Sequence, residues 1–173
     1  MDIILVNEKD EPTGTSGKLE AHQQALLHRA FSVFIFNKQG EMLLQKRATE
    51  KYHSGGLWTN ACCSHPRPGE SLPEAAEKRL QEEMGFSVSL KKAFDFIYRV
   101  SFDNGLTEYE FDHVYIGYHN GKVYPDPAEV SDHYFNDMED IGKAIKLHPH
   151  HFTEWFKIAF PKVEEYIASL SVN

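Results

Sequence analysis

Residues 64–86 read SHPRPGESLPEAAEKRLQEEMGF, and the fold class turns on how this stretch is parsed. Ser71-Leu72-Pro73-Glu74 is a capping box with proline in the first turn. Ala75, Ala76, Leu80 and Met84 follow at helical spacing, and Gly85 supplies the stop. The stretch predicts one helix, Ser71 to Met84, between strand-rich flanks. Upstream, Phe31 to Phe36 and Glu41 to Lys46 flank Asn37-Lys38-Gln39-Gly40, a hairpin signature. Downstream, Phe94 to Phe102 and Glu108 to Tyr118 alternate around Asp103-Asn104-Gly105, a second hairpin. One central helix between hairpins predicts a mixed α/β (α+β) domain, a mixed sheet layered between helices rather than a doubly wound parallel sheet.

The ends extend this pattern. Asp2 to Val6 reads as a short buried strand, Asn7 to Gly14 as a turn, and Gly14 to Gly17 as a mobile loop. Leu19, His22, Leu26 and Leu27 fit a short helix or an extended arm. Tyr134-Phe135 predicts a short strand, and Met138 to Lys146 and Phe152 to Leu170 predict helices, the second kinked or interrupted at Pro161. With 173 residues the chain fits one domain, residues 1–173, with residues 1–29 as an N-terminal strand and mobile arm.

Composition excludes several classes. A hydrophobic fraction of 41% excludes global disorder, and a net charge of −8 argues against a general nucleic-acid binder. The longest apolar stretch, Ala30 to Phe36, is too short to span a membrane. Met1-Asp2-Ile3-Ile4 lacks the positive region of a signal peptide. The two cysteines, Cys62 and Cys63, are adjacent, so no disulfide framework is expected and a cytoplasmic location fits.

Four constellations can carry chemistry. If Trp58 to Pro66 is extended, Cys63 and His65 share a face and Cys62 points to the core. A thiol beside an imidazole and a metal can ionise near neutral pH, although a buried Cys pair with a surface His is the plainer reading. Glu108 and Glu110 project from one strand face about 7 Å apart, which calls for a cation or a shared proton, unless the face is simply solvated. His22 and His28 are six apart, not the i, i+4 spacing of a helical metal clamp. Arg79 and Glu83 sit four apart on the central helix, either a surface ion pair or a phosphate ligand beside a metal ligand. Lys18, Arg47 and Lys51 add cations from loops or strand ends. His148, His150 and His151 read as a solvated loop, and His53, His113, His119 and His133 as structural.

The segments Leu27-His28-Arg29-Ala30-Phe31-Ser32 and Thr59-Asn60-Ala61-Cys62-Cys63-Ser64-His65-Pro66, the pair Glu108-Tyr109-Glu110, and Trp155-Phe156-Lys157 occur in this order. Together they resemble the type 1 isopentenyl-diphosphate Δ-isomerases over nearly the whole chain. The central helix resembles a degraded Nudix box, Gly-x5-Glu-x7-Arg-Glu-U-x-Glu-Glu-x-Gly-U with U bulky and apolar. Ser64, Glu70 and Lys78-Arg79 stand at its first positions, and Leu80, Glu82, Glu83, Gly85 and Phe86 keep the rest. Arg79 in place of the box's Glu argues against pyrophosphate hydrolysis and leaves a Nudix-like fold in place.

The resemblance implies a set of roles. His22, His28, His65, Glu108 and Glu110 would bind one divalent ion, Mn²⁺ or Zn²⁺, which the donor set suits, or Mg²⁺. Glu83 would hold Mg²⁺ bridging to the substrate. Lys18, Arg47, Lys51 and Arg79 would grip a diphosphate. Cys63 and Glu110 would be the acid–base pair for a 1,3-allylic proton shift, Tyr98 would assist Glu110, and Trp155 would stabilise a tertiary cation. The expected reaction interconverts isopentenyl and dimethylallyl diphosphate in isoprenoid biosynthesis, by a monomer or weak dimer without a membrane or nucleic-acid partner. The alternatives are a Nudix hydrolase of nucleoside or prenyl diphosphates and a non-catalytic metal- or redox-sensing module.

Overall fold

A computed structural model describes residues 1–51 and 53–171. Its strands are β1 (Asp2–Val6), β2 (Pro12–Gly17), β3 (His28–Phe36), β4 (Met42–Arg47), β5 (Trp58–Thr59), β6 (Cys62–Ser64), β7 (Lys91–Ser101), β8 (Thr107–Tyr118) and β9 (Val130–Asn136). The helices are α1 (Lys18–Gln23), α2 (Leu72–Met84), α3 (Met138–Leu147) and α4 (Glu154–Leu170). Among the described residues, all nine strands join one mixed sheet. The β3–β8 pair is parallel and the other strand pairs are antiparallel.

Period-two alternation on β3 explains the layering. Phe31, Val33 and Ile35 enter one buried cluster with Ala76, Leu80 and Met84 of α2. Phe34 and Phe36, pointing the other way, enter a second cluster with Ile141 of α3 and Phe156, Phe160 and Val163 of α4. Every residue from Ala30 to Phe36 is buried because both faces of the strand are covered. The sheet therefore lies between α2 and the α3–α4 pair, as the sequence pattern predicts. Helix α2 is capped as read: Ser71 Oγ accepts from the Glu74 amide, and Gly85 adopts φ 75°. A Cβ at Gly85 would also collide with the backbone of Tyr124, so glycine is required twice over.

Three expectations need correction. Residues 14–17 are not a mobile loop; they complete β2, in register with β1 from Asp2↔Gly17 to Leu5↔Gly14. Nor is the N-terminal region a loose arm. Leu5 pairs with His28, and Asp10 is clamped by Arg29 Nε at 2.8 Å and His113 Nε2 at 2.9 Å. That clamp fixes the hairpin that launches α1 toward the sheet centre. Finally, α4 is continuous through Pro161. Proline removes one helical donor, but Trp155, Phe156, Ala159, Phe160 and Val163 bury the flanking turns and hold the helix together.

Candidate active site

Strand β8 places Glu108, Glu110 and Asp112 on one face, all buried. Register alone flanks Glu110 with Tyr98 of β7 on one side and His28 of β3 on the other. The Tyr98 hydroxyl lies 2.6 Å from Glu110 Oε2 and 2.9 Å from Glu108 Oε2, so one proton serves two carboxylates. Burial, reinforced by both carboxylates, pushes the Tyr98 phenol up, and it keeps that proton.

On the other side of Glu110, three imidazoles converge. His22 comes from α1, His28 from the first position of β3, and His65 from the residue after β6. Ala25 (φ 52°) lies in the turn between α1 and β3, which lets two histidines six residues apart face one point. One ligand atom from each of His22, His28, His65 and Glu110 lies within 4.8 Å of the others. His28 Nδ1 is 2.8 Å from the Leu26 carbonyl, which it meets as a donor, so Nε2 is turned toward Glu110. Burial, with the other two imidazoles, lowers His22 to about 3; burial also lowers His65 to about 4, against the pull of Glu110. Burial opposes charge on His28 too, but its hydrogen bond to Glu110 raises it. Glu110 is buried yet held well below the usual carboxylate range by His65 and His28. Two neutral imidazoles, a third oriented by a carbonyl, and an ionised carboxylate form a donor set that fits a divalent ion.

A pH effect follows. In the unfolded chain His22 and His65 would take protons near pH 6.5; in the fold they do so only near 3 and 4. The unfolded state therefore binds more protons between pH 6.5 and 4, and the metal-free protein should lose stability progressively as pH falls through that window. Thermal melts in chelator across pH 4–7 would check this; a flat profile contradicts the burial of neutral imidazoles.

Glu108 stands beside this cluster rather than inside it. Its Oε1 is 3.0 Å from His53 Nε2 and its Oε2 faces Tyr98. Glu83, buried on α2, is 3.0 Å from Arg79 Nη2 and 3.4 Å from Gln45 Nε2. It lies apart from the four-residue cluster.

The register Val33↔Cys62 and Ser32↔Cys63 sorts the cysteines: Cys62 is fully buried in the α2-side cluster, and Cys63 lines a pocket. Burial, with the Asp112 charge, pushes the Cys63 thiol up, against weaker help from Ser32 and Asn60. Its contacts are Asn60 Oδ1 at 3.3 Å, which accepts from the thiol, and Ser32 Oγ at 3.4 Å.

That pocket, about 40 Å³, is lined by Cys63, Tyr98, Glu108, Glu110, Trp155 and His53. It shares Lys18, Ser64 and His65 with a wider cavity of about 390 Å³, walled also by Lys51, Arg67, Lys78 and Arg79. The cavity is thus rich in cations although the chain is acidic overall. Arg79 pairs with Glu82, Glu83 and Glu129, and Lys51 also pairs with Glu129. Burial lowers Lys18 and Lys51. Arg47 sits over the Trp155 ring at 5.1 Å.

Sequence reasoning misses His53, Asn60, Ser32, Asp112 and Glu129. Only Asp112 carries a signal, since it continues the period-two face of Glu108 and Glu110. His148, His150 and His151 lie exposed on a short 3-10 turn, outside the site.

The NUDIX domain model matches residues 26–156. The isopentenyl-diphosphate Delta-isomerase of Pectobacterium atrosepticum is 46% identical over 165 residues, covering 95% of this chain and 92% of its own. That of Serratia proteamaculans is 49% identical over 154 residues, covering 89% and 86%. Among solved structures, the MutT protein from Methanosarcina mazei aligns with a TM-score of 0.66 at 19% identity, over 80% of this chain and 94% of its own. A MutT Nudix hydrolase from Burkholderia pseudomallei gives 0.63 at 18%, over 79% and 98%. These two likenesses speak for the fold alone. What separates this chain from a hydrolase is local: Arg79 stands where the Nudix box has glutamate, and a half-buried thiol and a buried carboxylate line one small pocket. Fold, altered box and relatives converge, and the chain belongs to the Nudix family as a member of its isopentenyl-diphosphate Delta-isomerases.

Proposed function

We infer that this protein interconverts isopentenyl and dimethylallyl diphosphate by adding a proton at C4 and removing one at C2. The observation that supports this most is the joint between the two cavities. A pocket of about 40 Å³ holding Cys63 and Glu110 opens at Lys18, Ser64 and His65 into a cation-lined cavity of about 390 Å³. A substrate with a five-carbon apolar end and a diphosphate end matches that division. Lys18, Arg47, Lys51 and Arg79 would take the diphosphate by charge-assisted hydrogen bonds, with Lys51 and Arg79 exchanging Glu129 for phosphate oxygens.

A 1,3-proton shift needs one group ready to give a proton at C4 and another ready to take one from C2. Cys63, proton-bearing, and Glu110, ionised, differ in the required way, because their surroundings push them in opposite directions. Tyr98 at 2.6 Å would hold Glu110 in place and carry its proton bond through the step. The Trp155 ring would stabilise positive charge at C3 by about 0.5–2 kcal/mol. Enclosure by His53 and Trp155 would keep water from the cation. A divalent ion at His22, His28, His65 and Glu110, with Mg²⁺ at Glu83, would supply positive charge beside the base and the diphosphate. Glu108, whose oxygens face His53 and Tyr98, has lone pairs left with which it would join the first ion. The free thiols of Cys62 and Cys63 suit a reducing, cytoplasmic setting.

Metal-loaded protein incubated with isopentenyl diphosphate in heavy water should yield dimethylallyl diphosphate carrying deuterium. Loaded protein that leaves the substrate unchanged overturns the reading. Release of inorganic phosphate or a monophosphate would point to hydrolysis instead.

A further inference from the structure

The loop between β4 and β5 starts from Arg47, the last residue of β4, and contains Lys51, two of the cations proposed to grip the diphosphate. It also carries His53, which sequence pattern marks only as structural. His53 is 8% exposed and reaches across the pocket to β8, where its Nε2 lies 3.0 Å from Glu108 Oε1. Its ring stacks on Phe102, at the end of the β7–β8 hairpin, with centroids 4.7 Å apart and planes within 12°. It meets the Trp155 ring edge-on at 5.8 Å. The loop is folded to force this inward pose. Ser54 takes φ 55°, His53 Nδ1 meets Ser54 Oγ at 3.2 Å, and a Cβ at Gly55 would strike the Thr49 carbonyl. The His53 carbonyl in turn accepts from Arg47 Nη2 at 3.2 Å. One residue therefore touches Arg47 through its backbone and the pocket carboxylate Glu108 through its ring.

We propose that His53 is a positioning residue that fastens the anion-gripping loop to the Glu108–Tyr98–Glu110 face, so that seating a diphosphate orders the end of the pocket where the proton moves. The proposal rests on the isomerase reading for the identity of the step, but the mechanical link itself requires only an anion that reaches both Arg47 of the small pocket and Lys51 of the wider cavity. Ordering of Arg47 and Lys51 by the anion fixes the loop; the 3.0 Å His53–Glu108 contact and the Phe102 stack carry that order to β8 and the hairpin end. Without the His53–Glu108 contact, the diphosphate would still be gripped by Lys18 and Arg79, while Glu108, and through Tyr98 the base Glu110, lose their fixed pose. The loss should fall on kcat rather than KM.

Three variants separate the bond from the ring: His53→Ala removes both, His53→Gln keeps a nitrogen donor, and His53→Phe keeps an aromatic ring. Expected are a fall in kcat of about tenfold or more for His53→Ala and His53→Phe, with KM within about threefold, and recovery to within about threefold of wild type for His53→Gln. A His53→Ala protein with wild-type kcat, or a His53→Gln protein as poor as His53→Ala, overturns the proposal. Amide hydrogen exchange with inorganic pyrophosphate and Mg²⁺ as the probe tests the link without turnover. In the wild type, the probe should slow exchange in both residues 48–57 and the hairpin end, residues 102–107; in His53→Ala it should slow the loop alone. Equal protection of residues 102–107 in both proteins, or none in the wild type, overturns the link. A wild type that shows the paired protection but no isomerisation defeats the reaction assigned and leaves the latch standing.

Discussion

Cys63→Ala should lower kcat by about 10²–10⁴-fold, the range for removing a positioned proton donor or acceptor, while Cys62→Ala should leave kcat within about twofold. The two residues are neighbours of the same type, so the contrast isolates position from chemistry. Strand β6 pairs antiparallel with β3, Ser32 opposite Cys63 and Val33 opposite Cys62. Val33 belongs to the α2-side core, and Cys62 follows it there, fully buried beside Ala76 and Leu80. Truncating it removes one buried sulfur and should cost roughly 1 kcal/mol of stability, read as a lower Tm. Cys63 faces the pocket, with its thiol donating to Asn60 Oδ1 and 3.4 Å from Ser32 Oγ. Its substitution should change Tm little and turnover greatly. Steady-state rates with isopentenyl diphosphate, paired with melts of the same preparations, check both halves. Equal losses of activity in the two variants would mean that the strand register does not select the reacting thiol.

That contrast is legible in the amino-acid sequence because it depends only on period-two alternation, the most local of rules. The capped helix α2 and the two hairpins are legible for similar reasons: Ser71, Pro73 and Gly85, or Asn37 to Gly40, act on the backbone within a few residues. Strand β2 is not. Its Pro-Thr-Gly-Thr-Ser-Gly sequence has weak strand preference and is held extended by pairing with β1. Pro161 misleads because its cost is local and the burial that outweighs it is tertiary. The convergence of His22 with His28 and His65 is invisible in spacing; it depends on a chain reversal near Ala25 and on the β3–β6 pairing. Family resemblance supplies those residues where periodicity cannot. His53 escapes both, since it sits in an irregular loop whose inward turn depends on Ser54 and Gly55.

Glu110→Gln should weaken metal binding and turnover together, and the reason lies in what one carboxylate is asked to do. Oε1 is 2.9 Å from His65 Nε2 and 3.3 Å from His28 Nε2, and Oε2 is 2.6 Å from the Tyr98 hydroxyl. Glutamine keeps the volume and a carbonyl acceptor but carries no charge and cannot exchange a proton. Turnover should fall by about 10²–10⁴-fold from loss of the acid–base partner alone. Divalent-ion affinity should fall at least about tenfold, because the remaining donors are three uncharged imidazoles. A third readout separates this from simple unfolding. In the metal-free wild type His28 is raised above 6.5, because its bond to Glu110 outweighs burial. With Glu110→Gln that bond no longer ends on a charge, burial prevails, and the His28 titration followed by NMR should move below 6.5. Tyr98→Phe serves as the comparison: it removes the shared hydroxyl from Glu108 and Glu110 but leaves the charge, so it should lower kcat while retaining the metal and the raised His28. If Glu110→Gln binds the ion as wild type does, or if His28 titrates unchanged, then Glu110 is not the group that binds the imidazole cluster to the proton chemistry. The base would then have to be sought at Glu108, the other carboxylate lining the same pocket.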